Sequence, residues 1–237
     1  MISLATYLAP LSPCGYLPDR DWQLEYEVVA EMTAEEYEER MKSGWRHFGH
    51  WLFHPKCPHC SECVSIRIPV ADFQPNRSQR RAWKDNTDIR LEIGEPQVSQ
   101  DRIDLHAKYH EFQSDFKGWP FEGAKDRDEY MTSFALNPFP VEEWRYFLGE
   151  RCIGIGYNDL LEESLSMIYF FYDPEFRDRS LGTFNVLSGI ARARELNLPY
   201  LYLGYYVQGC ASLSYKNNFK PSEGLIQGDW IPLAKPS

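Results

Sequence analysis

The sequence predicts a mixed α/β (α+β) protein in two parts, and three observations support this. Residues 165–195 read as a buried strand, a basic turn and a helix. Strand and helix patterns alternate along the chain after residue 76. Four of the six cysteines fall within the first 75 residues. Since 237 residues suffice for one large domain or two small ones, we predict a smaller cysteine-containing domain over residues 1–75 and a larger domain over residues 76–237.

The first part contains two predicted strands and one helix. Residues 22–31 alternate between apolar and polar side chains, which is typical of a strand. Thr33 followed by Glu36 forms a capping-box pattern that predicts a helix ending near Ser43. A short strand is predicted at residues 64–70.

The second part begins with a compact basic segment at residues 77–84, predicted as a short helix. The elements predicted after it are a strand at 88–93, helices at 99–116 and 127–136 around a loop, strands at 142–148, 152–160 and 165–172, a helix, a strand at 200–206, a helix at 212–217 and a last strand at 224–232.

The strand–turn–helix segment is a candidate anion site. Asp173 and Pro174 end the strand, because proline has no N–H to donate to a ladder. The turn carries Arg177 and Arg179 directly before a helix, whose first N–H groups attract anions. An ordinary strand–helix unit with solvated arginines is the alternative interpretation.

The cysteines are candidate metal ligands. Cysteines three residues apart can bind one ion, so the run predicts a zinc ion or an iron–sulfur cluster, with reduced thiols as the alternative. The proposed thiolates are Cys14, Cys57, Cys60 and Cys63, and the alternative ligands are His50, His54 and His59.

Composition limits the function. The net charge of −10 cannot attract a polyanion through the overall field, so contacts with nucleic acid require local basic patches. No window has the apolar length of a membrane span, and no signal peptide is evident. Clustered cysteines do not form a secreted disulfide framework. We therefore expect a cytoplasmic protein without membrane contacts.

The element order after residue 76 resembles the N-acetyltransferase (GNAT) fold. The phosphate-binding turn of that fold reads Gln/Arg-x-x-Gly-x-Gly/Ala, and this chain has Arg179-Ser-Leu-Gly182-Thr-Phe184. A phenylalanine at the last position is expected to hinder close backbone approach to coenzyme A. We therefore expect no coenzyme A and a different activated acyl group.

Several short motifs occur in order along the chain: Pro13-Cys14-Gly-Tyr-Leu-Pro18, Cys57-x-x-Cys60-x-x-Cys63-Val-Ser-Ile-Arg67, Asn76-Arg77-Ser-Gln-Arg80-Arg81, Tyr172-Asp-Pro174, Arg179-Ser-Leu-Gly182-Thr, Tyr202-Leu-Gly-Tyr205 and Tyr215-Lys216-Asn-Asn-Phe219-Lys-Pro221. With these motifs the chain, from about Leu11 to Pro232, resembles bacterial leucyl-tRNA–protein transferases (aspartate/glutamate leucyltransferases), which are relatives of the eukaryotic arginyl-tRNA–protein transferases. One position differs from the eukaryotic relatives, because this chain has Leu17 where they have a second cysteine.

This resemblance implies transfer of leucine from Leu-tRNA to the α-amine of proteins that begin with Asp or Glu, which marks them for N-end rule degradation. The reaction requires neither ATP nor a cofactor. The rate then depends on holding amine and ester together and on stabilising the oxyanion. We assign no catalytic residue, and arginine or phenylalanine stays open as the transferred group.

Both substrates require cations. The candidates for the acceptor carboxylate are Arg77, Arg81 and Lys216, and those for the donor tRNA are Arg177, Arg179 and Arg192 for phosphates with Tyr172, Tyr205 or Tyr206 for stacking. Core packing is an equal alternative for each tyrosine. Two other functions stay open, namely an acetyl-CoA-dependent N-acetyltransferase and a non-catalytic adaptor that binds acidic N-termini.

Overall fold

The N-terminal part of the protein forms a small antiparallel sheet. A computed structural model describes residues 1–121 and 123–234. In spatial order the strands of this sheet are β1 (Ile2–Leu8), β4 (Leu24–Glu31), β6 (Trp51–Pro55) and β5 (Arg46–Phe48), with β2 (Ser12–Pro13) and β3 (Asp21–Trp22) forming a separate ribbon. Helix α1 (Ala34–Lys42) lies between β4 and β5 in the chain, and the predicted Thr33–Glu36 capping box at its start is confirmed.

The larger sheet has eight strands. Only the pair β11–β12 within it is parallel. In spatial order the strands are β14 (Asp229–Pro232), β13 (Glu223–Ile226), β7 (Val64–Pro69), β12 (Tyr200–Tyr206), β11 (Ser164–Tyr172), β10 (Arg151–Leu160), β9 (Val141–Leu148) and β8 (Ile89–Gly94). The molecule is thus a mixed α/β protein with an N-terminal part and a larger sheet, as the sequence predicts.

Helices cover both faces of the large sheet. The helices are α2 (Arg77–Lys84), α3 (Gln100–Lys117), α4 (Arg127–Tyr130) and α5 (Leu181–Glu195), with a π-turn at Met131–Ala135 and 3₁₀ turns at Pro174–Arg179 and Ser214–Asn218. Alternate residues of β12 enter different cores: Tyr202 packs with α1 and α3, whereas Leu201 packs with α5. No helix within the described ranges is both long and apolar enough to span a bilayer.

Two features of the large sheet differ from the sequence analysis. The strand predicted at 224–232 is a hairpin, because Gln227 and Gly228 adopt φ of +53° and +94° and reverse the chain. Strand β7 lies between β12 and β13 although it precedes residue 75. The division at residue 75 stays a prediction, and the first part contributes a strand to the larger sheet.

A buried ion pair joins the two sheets. His47 of β5 bonds Asp159 of β10 over 2.9 Å between Nε2 and Oδ1, and both side chains are fully buried. The other ring nitrogen of His47, Nδ1, lies 3.0 Å from the carbonyl oxygen of Gly49. Because both partners only accept hydrogen bonds, both ring nitrogens donate, and the imidazole is positively charged.

Candidate active site

A cavity of about 420 Å³ opens where β11 and β12 separate. The two strands are paired only from Ser164 to Ser166 and from Tyr200 to Tyr202. Beyond these pairs the strands diverge, and the first turn of α5 lines the gap with Gly182 and Thr183. The volume lies in the range of ordinary ligand sites.

The start of α5 leaves room for a ligand. Ser180 caps the helix in the left-handed conformation and makes no side-chain capping bond. A Cβ on Gly182 would have no heavy atom within 4 Å. The N–H groups of Thr183 and Phe184 already donate to the carbonyl oxygen of Ser180 over 3.0 Å. The N–H groups that a helix start offers to an anionic or carbonyl group are therefore those of Leu181 and Gly182 here, and the anion site stays a prediction.

Phe184 does not obstruct this cavity, which corrects the expectation from the sequence. Its ring is buried on the opposite side of α5, 5.4 Å from the ring of Trp83 and 5.9 Å from that of Tyr146. The helical period turns residue 184 toward the core when residues 182 and 183 face the gap. The argument against coenzyme A from ring crowding is therefore wrong.

Helix α3 provides a buried hydrogen-bond acceptor. Gln113 is 2% exposed and lines the cavity, and its Oε1 has no hydrogen-bond partner. Tyr169 also lines the cavity, and its hydroxyl lies 2.8 Å from Nε2 of His110. An unpaired acceptor in a polar cavity favours a ligand that carries N–H or O–H groups.

Lys216 lies at the other wall of the cavity. Its Nζ donates to the carbonyl oxygen of Tyr205 over 2.8 Å. Burial, followed by the nearby Arg46 charge, lowers the pKa of Lys216 to about 7. Near neutral pH, Lys216 is therefore ready to take up a proton when a negative charge binds.

The predicted donor-binding residues differ in whether they line the cavity, are exposed or are already bonded to a carboxylate. Tyr172 lines the cavity. The Arg177 side chain is 58% exposed, with its guanidinium 5.9 Å from the ring centre of Phe112. Arg179 makes two bonds to Asp88, of 2.8 and 2.9 Å, and these bonds lower the pKa of that carboxyl group.

Two other donor candidates are held by contacts within the protein. Arg192 bonds Glu142 and Glu195 near the end of α5. Tyr205 is buried, and its hydroxyl donates to the carbonyl oxygen of Gly44 over 2.9 Å. Neither residue lines the cavity beside α5. Tyr205 lines a second, aromatic cavity instead.

The acceptor candidates separate into two groups. Arg77 and Arg81 are exposed on α2, and Nε of Arg81 lies 3.3 Å from the Asp85 carboxylate. Only Lys216 of the three lines the cavity. Helix α2 contacts the 3₁₀ turn that contains Lys216 through Gln79, which donates to the carbonyl oxygen of Asn218 over 3.2 Å.

The four cysteines proposed as metal ligands line a second, aromatic cavity of about 390 Å³. Burial, with smaller effects from the neighbouring thiols, raises the pKa of Cys63 to about 12. Cys57 and Cys14 hydrogen-bond backbone groups instead of a shared centre. Throughout residues 1–121 and 123–234, no three His, Cys, Asp or Glu side chains are grouped to hold a metal ion. The predicted zinc or iron–sulfur site is therefore not supported.

Sequence reasoning missed two residues of this region. Gln113 stood in a helix with only partial apolar periodicity, and Arg46 stood in an aromatic run. The structure buries both, and each has a side-chain atom without a partner. No sequence pattern shows an unpaired buried atom, since that property depends on the three-dimensional surroundings.

A cavity between separating strands, with a helix start on one side and a half-buried lysine on the other, suits an enzyme that aligns two substrates for group transfer. Residues 12–81 match the family described as "Arginine-tRNA-protein transferase, N terminus", and residues 101–226 match "Arginine-tRNA-protein transferase, C terminus". The chain belongs to this family of aminoacyl-tRNA–protein transferases.

Curated relatives agree along almost the whole chain. A protein of Campylobacter jejuni subsp. jejuni serotype O:23/36 is 35% identical over 215 residues, which cover 90% of this chain and 89% of the relative. One of Pseudoalteromonas atlantica is 38% identical over 233 residues, which cover 94% and 95%. Both are named "Aspartate/glutamate leucyltransferase". Among solved structures, the crystal structure of FemX matches with a TM-score of 0.46 and 8% identity, covering 86% of this chain and 80% of that chain.

Proposed function

We propose that the protein transfers leucine from Leu-tRNA to the α-amine of proteins whose first residue is Asp or Glu. The observation that carries this proposal is family membership together with relatives of that name, matched over nearly their full length. The product carries an N-terminal leucine and enters N-end rule degradation. Because charged tRNA is the donor, the proposal places the reaction in the cytoplasm.

In the proposed reaction the acceptor α-amine attacks the carbonyl carbon of the leucyl ester. The C–N bond forms, the ester C–O bond breaks, and the terminal ribose hydroxyl of the tRNA leaves with a proton that the amine has lost. A free α-amine has a pKa of about 7.7 to 8.0, so part of it is neutral at physiological pH. The energy comes from the ester, and no ATP or cofactor is needed.

The proposed donor site is the cavity beside α5. The open amides near Gly182 suit the ester oxygen or a phosphate, and Tyr172 offers a ring to the terminal adenine. Arg177 is exposed, and its charge acts on Tyr172 in the cavity wall, so it suits a backbone phosphate. Arg179 and Arg192 would act from positions fixed by their carboxylate partners.

We also propose that the larger part of the chain is an N-acetyltransferase-like domain. The order β8, α3, α4, β9, β10, β11, α5, β12 supports this, as does the separation of β11 from β12 beside a helix start. Such a fold suits an acyl donor bound in the gap. Here the acyl group is on tRNA, and coenzyme A has no part in the proposed reaction.

The acceptor carboxylate is assigned to the cations near this cavity. Lys216 is our first candidate because it lines the cavity, and Arg77 and Arg81 on α2 remain outer candidates. A carboxylate is preferred there because the two arginines are cations and Lys216 becomes one when a negative charge binds.

One assay tests the proposed function. Purified protein is incubated with radiolabelled Leu-, Arg- or Phe-tRNA and with peptides that differ only in their first residue. We expect label from Leu-tRNA on Asp- and Glu-peptides and little on Lys- or Arg-peptides, since a cationic pocket repels positive side chains. Equal labelling of acidic and basic peptides, or transfer from Arg-tRNA alone, would contradict the proposal.

A further inference from the structure

Two cations stand side by side at Gly204: Lys216, which is half-buried and lines the cavity, and Arg46, which is buried and lies outside the cavity lining. A Cβ on Gly204 would lie 3.6 Å from Nζ of Lys216 and 3.9 Å from Nε of Arg46, so both groups border the same point of β12. Gly204 has φ of +76°, a conformation that favours glycine. Both cations are thus close to one another and to a backbone segment without a side chain.

Neither cation has a carboxylate partner. The guanidinium of Arg46 donates to carbonyl oxygens only, those of Trp45 at 2.7 Å, Gly204 at 3.4 Å and Met41 at 3.5 Å. Arg46 is only 7% exposed, and its Nε is buried without a hydrogen-bond partner. Of the Asp and Glu side chains within the described ranges, none forms an ion pair with Arg46 or Lys216.

Two half-buried arginines of the large sheet and its helices, Arg67 and Arg102, are compensated. Arg67 on the neighbouring strand β7 contacts the Tyr202 ring, as Arg46 does, but it is bonded to the Glu223 carboxylate over 2.7 Å. Arg102 is bonded to Glu143. A buried charge without a counter-ion is unfavourable, so a pair of such charges indicates that the counter-ion comes from a ligand.

We infer that Arg46 and Lys216 together form the receptor for the acidic side chain of the acceptor's first residue. This inference rests on the proposed function and adds Arg46 as the second cation, which no sequence pattern indicated. The carboxylate would meet Nε of Arg46 and Nζ of Lys216, while the α-amine remains in the cavity next to the ester. An amide in place of the carboxylate would supply no counter-charge, so Arg46 would stay uncompensated and the pKa of Lys216 would stay lowered.

Peptides beginning with Asp and Asn test this receptor because they differ by charge at nearly constant shape. Wild-type protein should favour the Asp-peptide in kcat/KM by at least about 100-fold. Arg46→Met should reduce that ratio at least about tenfold, mainly by raising KM for the Asp-peptide. Arg67→Met is the matched control, since it removes a compensated arginine beside the same tyrosine, and it should keep the ratio.

A folded Arg46→Met variant with an unchanged Asp/Asn ratio would overturn the inference. Equal loss on both peptides would do the same, because it indicates a structural role. If neither peptide accepts leucine from Leu-tRNA, the proposed function itself fails. In that case calorimetry still tests the receptor by comparing the affinities of the two peptides. We expect the Asp-peptide to bind more tightly than the Asn-peptide.

A second test uses the wild-type protein alone and so does not depend on whether the Arg46 variant folds. It measures how the KM values for the two peptides change with pH. The groups facing Lys216 are Arg46 from β5, Cys210 from the following loop and the Tyr205 carbonyl of β12. Because the pKa of free Lys216 is about 7 and a bound carboxylate raises it, binding takes up a proton above pH 7. The ratio of KM for Asp-peptide to KM for Asn-peptide should then rise up to about tenfold per pH unit.

The α-amines of the two peptides titrate alike, so their ratio isolates the receptor. Lys216→Arg carries a charge that does not titrate in this range and should flatten the ratio. A wild-type ratio that stays flat from pH 7 to 9 would overturn the inference.

Discussion

At the scale of single residues, the most informative property is whether a charged side chain already has a partner. Arg179 and Arg192 satisfied the sequence criterion for donor binding, yet both are bonded to carboxylates. Arg177 has only a weak carboxylate partner, because its Nε lies 3.8 Å from the carboxylate of the highly exposed Asp178. Exposed pairs of that kind contribute little energy, so the guanidinium is available to a phosphate.

We therefore expect Arg177→Ala to lower the salt dependence of tRNA binding. The slope of log affinity against log salt should decrease in magnitude by about one, because one phosphate contact contributes about 0.7 to 0.9. Arg179→Ala should change the slope less, since Asp88 compensates its charge. Binding of Leu-tRNA is measured at four or more salt concentrations, and an unchanged slope for Arg177→Ala would contradict this assignment.

At the scale of secondary-structure elements, the sequence was most reliable where a local pattern determines the local structure. Thr33 predicted the start of α1, and the capping box is present, with Thr33 Oγ1 accepting a hydrogen bond from the N–H of Glu36 at 3.1 Å. Local patterns did not reveal that Ile2–Leu8 is an edge strand or that β7 enters the larger sheet. Strand pairing depends on distant partners, which periodicity within one segment does not identify.

Thr33→Ala should lower the free energy of unfolding by about 1 kcal/mol, the usual effect of losing an N-cap side chain. Thr33→Ser keeps the hydroxyl group and serves as the control, with little expected change. Urea denaturation measures both variants. Equal stability of Thr33→Ala and wild type would show that the capping box is not needed for helix α1.

At the scale of the whole molecule, the sequence indicated the two parts but not how they join. The active-site prediction suffered for the same reason, because Arg46 belongs to the small sheet and Lys216 to the large part. Their proximity at Gly204 depends on the packing of β5 against the end of β12. A contact between segments about 170 residues apart leaves no local signature in one sequence, so the pairing of Arg46 with Lys216 could not have been predicted without the structure.

The His47–Asp159 pair should control how firmly the two sheets are joined. Burial opposes the charge on His47, but the adjacent Asp159 carboxylate outweighs burial and raises the pKa of His47. A raised pKa in the folded protein means that the pair contributes its full stabilisation below the unfolded pKa of about 6.5. This contribution is lost as the pH rises through the higher folded value.

Asp159→Asn removes the carboxylate and leaves a buried imidazole beside an amide. We expect it to lower the free energy of unfolding by about 3 kcal/mol at pH 6, as is usual for a broken buried pair. The difference from wild type should shrink as the pH increases toward 9. Urea denaturation at several pH values measures it, and subtracting the two proteins cancels the opposite trend from Lys216, whose lowered pKa makes folding more favourable as pH rises. A difference that stays constant from pH 6 to 9 would mean that His47 does not lose its charge in this range, and that the pair joins the sheets independently of pH.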